Sequence, residues 1–221
     1  MQENLSPEQS LKVISEMINK ARNAYYDTGI GAIMWGAVIA FCSLEKLAEI
    51  HFGYQLPFNI FWLPILAIIP QIIITMKEKR ERKVTAYDDV YMDYIWLAFG
   101  ISIALMILLT NIVMSRWSIV FEEYKQLTGN YPAFRFYEYI MPLYLILYGI
   151  PTFITGTACK FYPMLWGGIL CWICCIIAIF TNIKIDLLLT AVSSIGAWLI
   201  PGLILEREYR KARRQFKQTN V

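Results

Sequence analysis

Six long apolar stretches, separated by short connections, constrain this chain more than any other feature. They run over Thr28–Leu47, Pro57–Met76, Tyr94–Ser115, Tyr137–Ala158, Pro163–Ile183 and Ile185–Leu205. A helix needs roughly 20 apolar residues to cross the hydrocarbon core of a bilayer, and each stretch has about that length. Together they take up most of the 221 residues, 57 % of which are hydrophobic, and the mean hydropathy is +0.47. No separate soluble domain fits in what remains. The expected fold is all-α: an integral membrane bundle of six transmembrane helices behind an amphipathic interfacial helix. Three parts follow, a cytoplasmic helix over residues 1–26, the membrane domain over 27–205 and a basic tail over 206–221.

Charge sets the expected orientation. With both termini inside, the cytoplasmic side holds Lys12, Lys20, Arg22, Lys77, Lys79, Arg80, Arg82, Lys83, Lys160, Arg207, Arg210, Lys211, Arg213, Arg214 and Lys217. The opposite side holds only Lys46, Arg116, Lys125, Arg135 and Lys184. Lysine and arginine accumulate on cytoplasmic loops, so the N-in, C-in arrangement is expected. The first apolar stretch starts late and lacks a small-residue cleavage site, so it reads as a retained first span.

The opening segment carries agreeing helix signals. Ser6 can cap, Pro7 suits the first helical position and Gln9 completes a capping box. Leu11, Ile14, Met17, Ile18, Ala21 and Tyr25 share one side; Lys12, Glu16, Lys20 and Asn23 share the other. Such a helix lies in the interface or docks a cytosolic partner. Pro64 is expected to kink the second span, while Pro57 suits its start.

The run Lys77-Glu78-Lys79-Arg80-Glu81-Arg82-Lys83 beside a span is suited to anionic lipid head groups. No folded module surrounds it, so a nucleic-acid role is not expected. The tail, with Arg210, Lys211, Arg213 and Arg214, is expected to extend the sixth span as a helix and to contact lipid or a protein partner. Asp88, Asp89 and Asp93 are placed to face the positive end of the third helix. The segment Arg116–Phe136 reads as the longest extracytoplasmic loop, its aromatics forming an interfacial belt.

The fourth span is the most irregular. Pro151 frees a carbonyl deep in a helix, and Gly149, Thr152, Gly156 and Cys159 recur at three- and four-residue spacing. Such a stripe serves packing or, where a helix is broken at a substrate site, solute binding. A candidate solute or packing site therefore comprises Asn111, Gly149, Pro151, Thr152, Thr155 and Gly156. Acids and bases are expected only near span ends, where Glu45, Glu49, Asp93, Glu138, Lys160, Lys184 and Asp186 can reach the interface. Cys171, Cys174 and Cys175 share a helix side, but a thiolate there lacks a nearby positive charge, and they read as small hydrophobes. No catalytic residue, metal ligand or cofactor is expected.

Met34-Trp35-Gly36-Ala37-Val38-Ile39 is similar to Leu165-Trp166-Gly167-Gly168-Ile169-Leu170, a pairing of spans one and five that fits no inverted repeat. Over nearly its full length the chain resembles a group of small multi-pass bacterial membrane proteins to which no activity is assigned. The resemblance rests on Ser10-Leu11, Met17-Ile18-Asn19-Lys20-Ala21, Trp35-Gly36, Gly149-Ile150-Pro151-Thr152-Phe153-Ile154-Thr155-Gly156, Lys160-Phe161, Gly167-Gly168-Ile169-Leu170-Cys171-Trp172 and Ile200-Pro201-Gly202. It implies a cytoplasmic membrane and carries over no functional residue. The expected function is that of a non-enzymatic accessory or regulatory protein, as a homo-oligomer or with a protein partner. The alternative is a transporter or channel for a small, weakly polar solute.

Overall fold

A computed structural model describes residues 28–81, 87–130, 132 and 136–219. The expected helix over residues 1–26, together with Arg82 and Lys83, lies outside them. The described residues form helices, turns and connections, with no strand among them. The helices are α1 (Ile30–Phe52), α2 (Trp62–Leu66), α3 (Ile68–Glu81), α4 (Tyr87–Thr128), α5 (Ile140–Ala158), α6 (Tyr162–Ala178), α7 (Ile183–Ser194) and α8 (Ile200–Thr219). A 3₁₀ turn at Phe136–Tyr139 leads into α5, and a π-helical turn at Ile195–Leu199 joins α7 to α8.

Among the described residues, four helical stretches are long and apolar enough to cross a membrane: Ile30–Phe52, Tyr91–Thr128, Phe136–Ala158 and Ile183–Lys211. The other two expected spans take different forms. α6 is apolar but has only 17 residues. The second stretch is split at Ala67 into α2 and α3. Pro70 explains the break, because it has no N–H for the Leu66 carbonyl and its ring clashes with that group. The helix therefore restarts beyond Pro64 instead of kinking through it.

The segment after Arg116 is also corrected. α4 runs unbroken to Thr128, 42 residues in all, so most of the expected loop is helix. At 1.5 Å per residue it is about 63 Å long, roughly twice the bilayer core. Its sequence from Arg116 to Thr128 contains no proline, and glycine comes only at Gly129, which takes φ 70° beyond the last turn.

The core is formed by α1, α5, α6 and the α7–α8 rod. α1 runs antiparallel to that rod, Gly29 meeting Gly202 and Leu205, and Gly36 meeting Leu199. α5 runs parallel to it: Glu138, just before its start, lies near Asp186, and Thr152 further along bonds Trp198. α6 returns antiparallel against α5, with Gly156 on the Leu165 backbone and Gly168 on Phe153. Between α5 and α6, Lys160 takes φ 52°, and the Phe161 N–H reaches the Gly156 carbonyl at 2.9 Å in a Schellman-type stop. α7 is capped by Asn182, whose side-chain oxygen accepts from the N–H groups of Lys184 (3.2 Å) and Ile185 (3.3 Å).

α3 and α4 lie outside this core. α3 is held to α1 by the Trp35 indole donating to Gln71 Oε1 at 3.0 Å, and by the Thr28 hydroxyl donating to Glu78. α4 inserts Phe99 against Tyr148 and Trp198, with ring centroids 6.2 and 6.1 Å apart. Elsewhere it exposes Leu97, Ile101, Leu105, Leu108 and Ile112, an apolar surface suited to lipid.

Glycine substitutions test this architecture. A Cβ on Gly36 would sit 2.5 Å from the Leu199 backbone nitrogen, whereas one on Gly100 meets nothing within 4 Å. Gly36→Ala is expected to destabilise the bundle by about 1–3 kcal/mol, because backbone cannot retract as a flexible side chain does. Gly100→Ala is expected to be neutral or to stabilise by up to ~1 kcal/mol through helix propensity. Unfolding of both variants in mixed micelles distinguishes them.

Candidate functional site

Transmembrane helices must satisfy their polar side chains internally, so buried hydroxyls, indoles and acids are where chemistry would collect. Two helices supply them. On α7, Asp186, Thr190, Ser193 and Ser194 recur at steps of four, three and one, which places them on one face, and all four are buried. On α5, Thr152 and Thr155 follow Pro151, and these three are buried as well.

The π-turn brings the two sets together. Pro201 has no N–H, so regular bonding fails before it, and the Ile200 N–H reaches back five residues to the Ile195 carbonyl. Within this widened turn Ala197 packs on Gly167, and Trp198 projects across to α5. The Trp198 indole donates to Thr152 Oγ1 at 2.8 Å, and that hydroxyl donates to the Tyr148 carbonyl at 2.7 Å. Tyr148 packs on Trp198 with centroids 4.8 Å apart. Thr155 Oγ1, one turn further along α5, has no partner among the described residues.

The six candidate residues thus separate. Pro151, Thr152 and Thr155 belong to this interior. Gly149 and Gly156 face α6, where a Cβ would strike the Trp172 indole and the Leu165 backbone, so they serve close packing. Asn111 does not face Thr152 and Thr155 as expected. It is exposed, with its amide folded back on the Ile107 carbonyl at 2.7 Å, while its neighbour Thr110 is the buried one and pairs with the Tyr144 hydroxyl. One helical position, about 100°, separates an outward-facing residue from a bundle-facing one.

Asp186 is the larger correction. It does not reach the interface: its exposure is 0 %, its Oδ1 accepts from Thr181 Oγ1 at 2.6 Å, and its Oδ2 is buried with no partner among the described residues. An aspartate has one methylene and cannot snorkel as lysine or arginine does. The readable signal was its register with Thr190, Ser193 and Ala197, a buried face that continues from α7 into the π-turn.

The cysteines Cys171, Cys174 and Cys175 lie in the core beside Leu145, Tyr148 and Trp198, and Cys42 donates its thiol to the Ile60 carbonyl at 3.6 Å. The basic candidates gather at one end. Thr28 bonds Glu78 there, Gly29 meets Leu205, and Lys79 pairs with Asp93 at 3.0 Å. Lys77, Lys79, Arg80, Lys160, Arg207, Arg210, Lys211 and Arg214 all project at this end, and Arg210 pairs with Glu206 on its own helix. Arg213 lies on the same helical extension. Asp93 is therefore matched by a lysine of α3. Lys46, Arg116, Lys125 and Lys184 mark the opposite end.

At that opposite end the Tyr54 hydroxyl donates to Glu45 at 2.6 Å, beside an apolar cleft of about 420 Å³ lined by Phe41, Leu56, Phe58 and Trp62 among others. No family model, curated protein or solved structure matches this chain.

Two measurements follow. The Glu45 carboxylate pushes the Tyr54 hydroxyl up to about 12. The contact is therefore complete below the ordinary tyrosine range near pH ~10 and is lost as pH rises through the folded value. Glu45→Gln is expected to return Tyr54 towards ~10 in a tyrosinate absorbance titration. For the interior, a double-mutant cycle of Trp198→Phe and Thr152→Val is expected to show a coupling of about 0.5–1.5 kcal/mol. Asn111→Leu should leave stability within about 0.5 kcal/mol, as exposed sites do.

Proposed function

We propose that this is a six-span protein of the bacterial cytoplasmic membrane, with both termini cytoplasmic, that acts as an accessory or regulatory partner of another component and not as an enzyme. One observation carries the reading: segments distant in sequence present their lysines and arginines on a single end of the bundle. The ends of α3 and α5 and the start of the α8 extension converge there, forming a cationic surface around Glu78, Glu206 and Asp93. Positive residues gather on the cytoplasmic side, which supports the orientation. Each exposed basic group near an anionic leaflet contributes about 1 kcal/mol of attraction, so the surface suits lipid head groups and an acidic stretch of a protein partner. α2–α3 and α6 complete the six spans in this reading, as a broken and a short crossing.

Removing the charge tests it. A variant carrying Lys77→Gln, Lys79→Gln, Arg80→Gln, Arg210→Gln, Lys211→Gln and Arg214→Gln is expected to insert normally. It should recover a cross-linked partner from native membranes at less than a tenth of the wild-type yield. Equal recovery would overturn the proposal.

A second reading, transport of a small, weakly polar solute, is favoured by one specific feature, the buried hydroxyl line of Thr152, Thr155, Thr190, Ser193 and Ser194 beside Pro151. Under that reading Thr155→Val and Pro151→Ala alter solute flux in reconstituted vesicles without changing expression.

A further inference from the structure

Asp186 is a fully buried acid in a bundle suited to lipid, and no cation among the described residues is matched to it. Its Oδ1 is occupied by the Thr181 hydroxyl at 2.6 Å, and its Oδ2 is enclosed with no partner among the described residues. Among the described residues, the charged groups facing it from the elements packed on α7 do not supply a counter-charge. From the 3₁₀ turn before α5 comes Glu138, a like charge close enough to repel it. α1 is antiparallel to α7, so its last turns reach the same end, and there Lys46 is held by Glu49 at 2.6 Å. Lys184, two residues before Asp186, is exposed. The α6 end contributes Ala178 and the connection contributes Thr181, neither of them charged.

A bare carboxylate in such a place costs several kcal/mol. A metal ion would need several oxygen ligands, whereas among the described residues the one side-chain oxygen bonded to the Asp186 carboxylate is that of Thr181, which presents its hydrogen rather than a lone pair. A proton needs one free oxygen, and Oδ2 is that oxygen.

We propose that Asp186 is a proton-binding site inside the bundle, entered from the Glu138 end. A proton from water at that end bonds to Oδ2, converting the carboxylate to a neutral acid, while Oδ1 continues to accept from Thr181. No other bond is made or broken. Release returns the proton to water by the same route, past Glu138. The orphaned buried oxygen and the unmatched charge are then two aspects of one site, and the Asp186–Thr190–Ser193 face gives it a polar lining into the bundle.

Infrared spectroscopy of the full chain in phosphatidylcholine vesicles tests this directly, with the aspartate side-chain carboxyls labelled with carbon-13. At neutral pH the wild type should show the carbonyl stretch of a neutral carboxylic acid, shifted by the label and by exchange into heavy water. Asp186→Asn should lose that band, while Glu138→Gln and Glu49→Gln should keep it. Thr181→Val, which retains Asp186 but removes its donor, should move the band, so the assignment stands even if Asp186→Asn fails to fold. Absence of a label-sensitive acid band in the wild type, or its survival in a folded Asp186→Asn protein, overturns the proposal. A band that appears only when sodium is replaced by choline would assign the site to a metal cation and overturn it equally.

Discussion

Close approach at small residues is the constraint on which the bundle depends. Between helices in lipid there is no hydrophobic driving force, since acyl chains are as apolar as leucine, so association relies on van der Waals contact and internal hydrogen bonds. Gly29, Gly36 and Gly202 bring α1 onto the α7–α8 rod, and Gly156, Gly167 and Gly168 bring α6 onto α5 and the π-turn. At each of these a single added carbon would fall less than 3 Å from another segment. α1, α5, α6 and the α7–α8 rod, so joined, enclose the buried hydroxyls, the buried thiols and Asp186. α3 and α4 lack such contacts along most of their length and keep broad apolar surfaces outward.

The π-turn at Ile195–Leu199 converts that packing into a polar interior. Pro201 breaks the regular bonding, the turn widens, and Trp198 crosses to Thr152 while Phe99 of α4 stacks against it. One indole thus links α4, α5 and the α7–α8 rod. Most hydroxyls nearby bond their own helix: Thr152 to Tyr148, Thr190 to Asp186 and Ser194 to Ala191. That satisfies them without a partner helix and leaves Thr155 Oγ1, Ser193 Oγ and Asp186 Oδ2 as the exceptions here among the described residues. The proposed cationic surface and the proposed proton site lie at opposite ends of the same rod.

The helical class and four of the six stretches read as able to cross a membrane were legible in the sequence, because a run of about 20 apolar residues placed in lipid has no alternative to a helix. The special residues were legible too: Pro151, the glycines of α1 and α5, and the positions of lysine and arginine. Their partners were not. Nothing local to Gly36 names Leu199, and nothing local to Thr152 names Trp198, 46 residues away. The helical continuation through Arg116 was missed because charge and aromatics resemble an interfacial loop, although the stretch contains no helix breaker before Gly129.

The sequence by itself determined the helical class, the apolar stretches and the asymmetry of charge, since each depends on composition and spacing along one chain. Only the tertiary structure decided which side of each helix faces inward. That choice placed Thr110 inside and Asn111 outside, joined Trp198 to Thr152, and enclosed Asp186 where a position near a helix end had suggested exposure. The physical reason is that rotation about a helix axis is set by contacts with neighbouring helices, and in an apolar stretch little within the helix itself prefers one rotation over another.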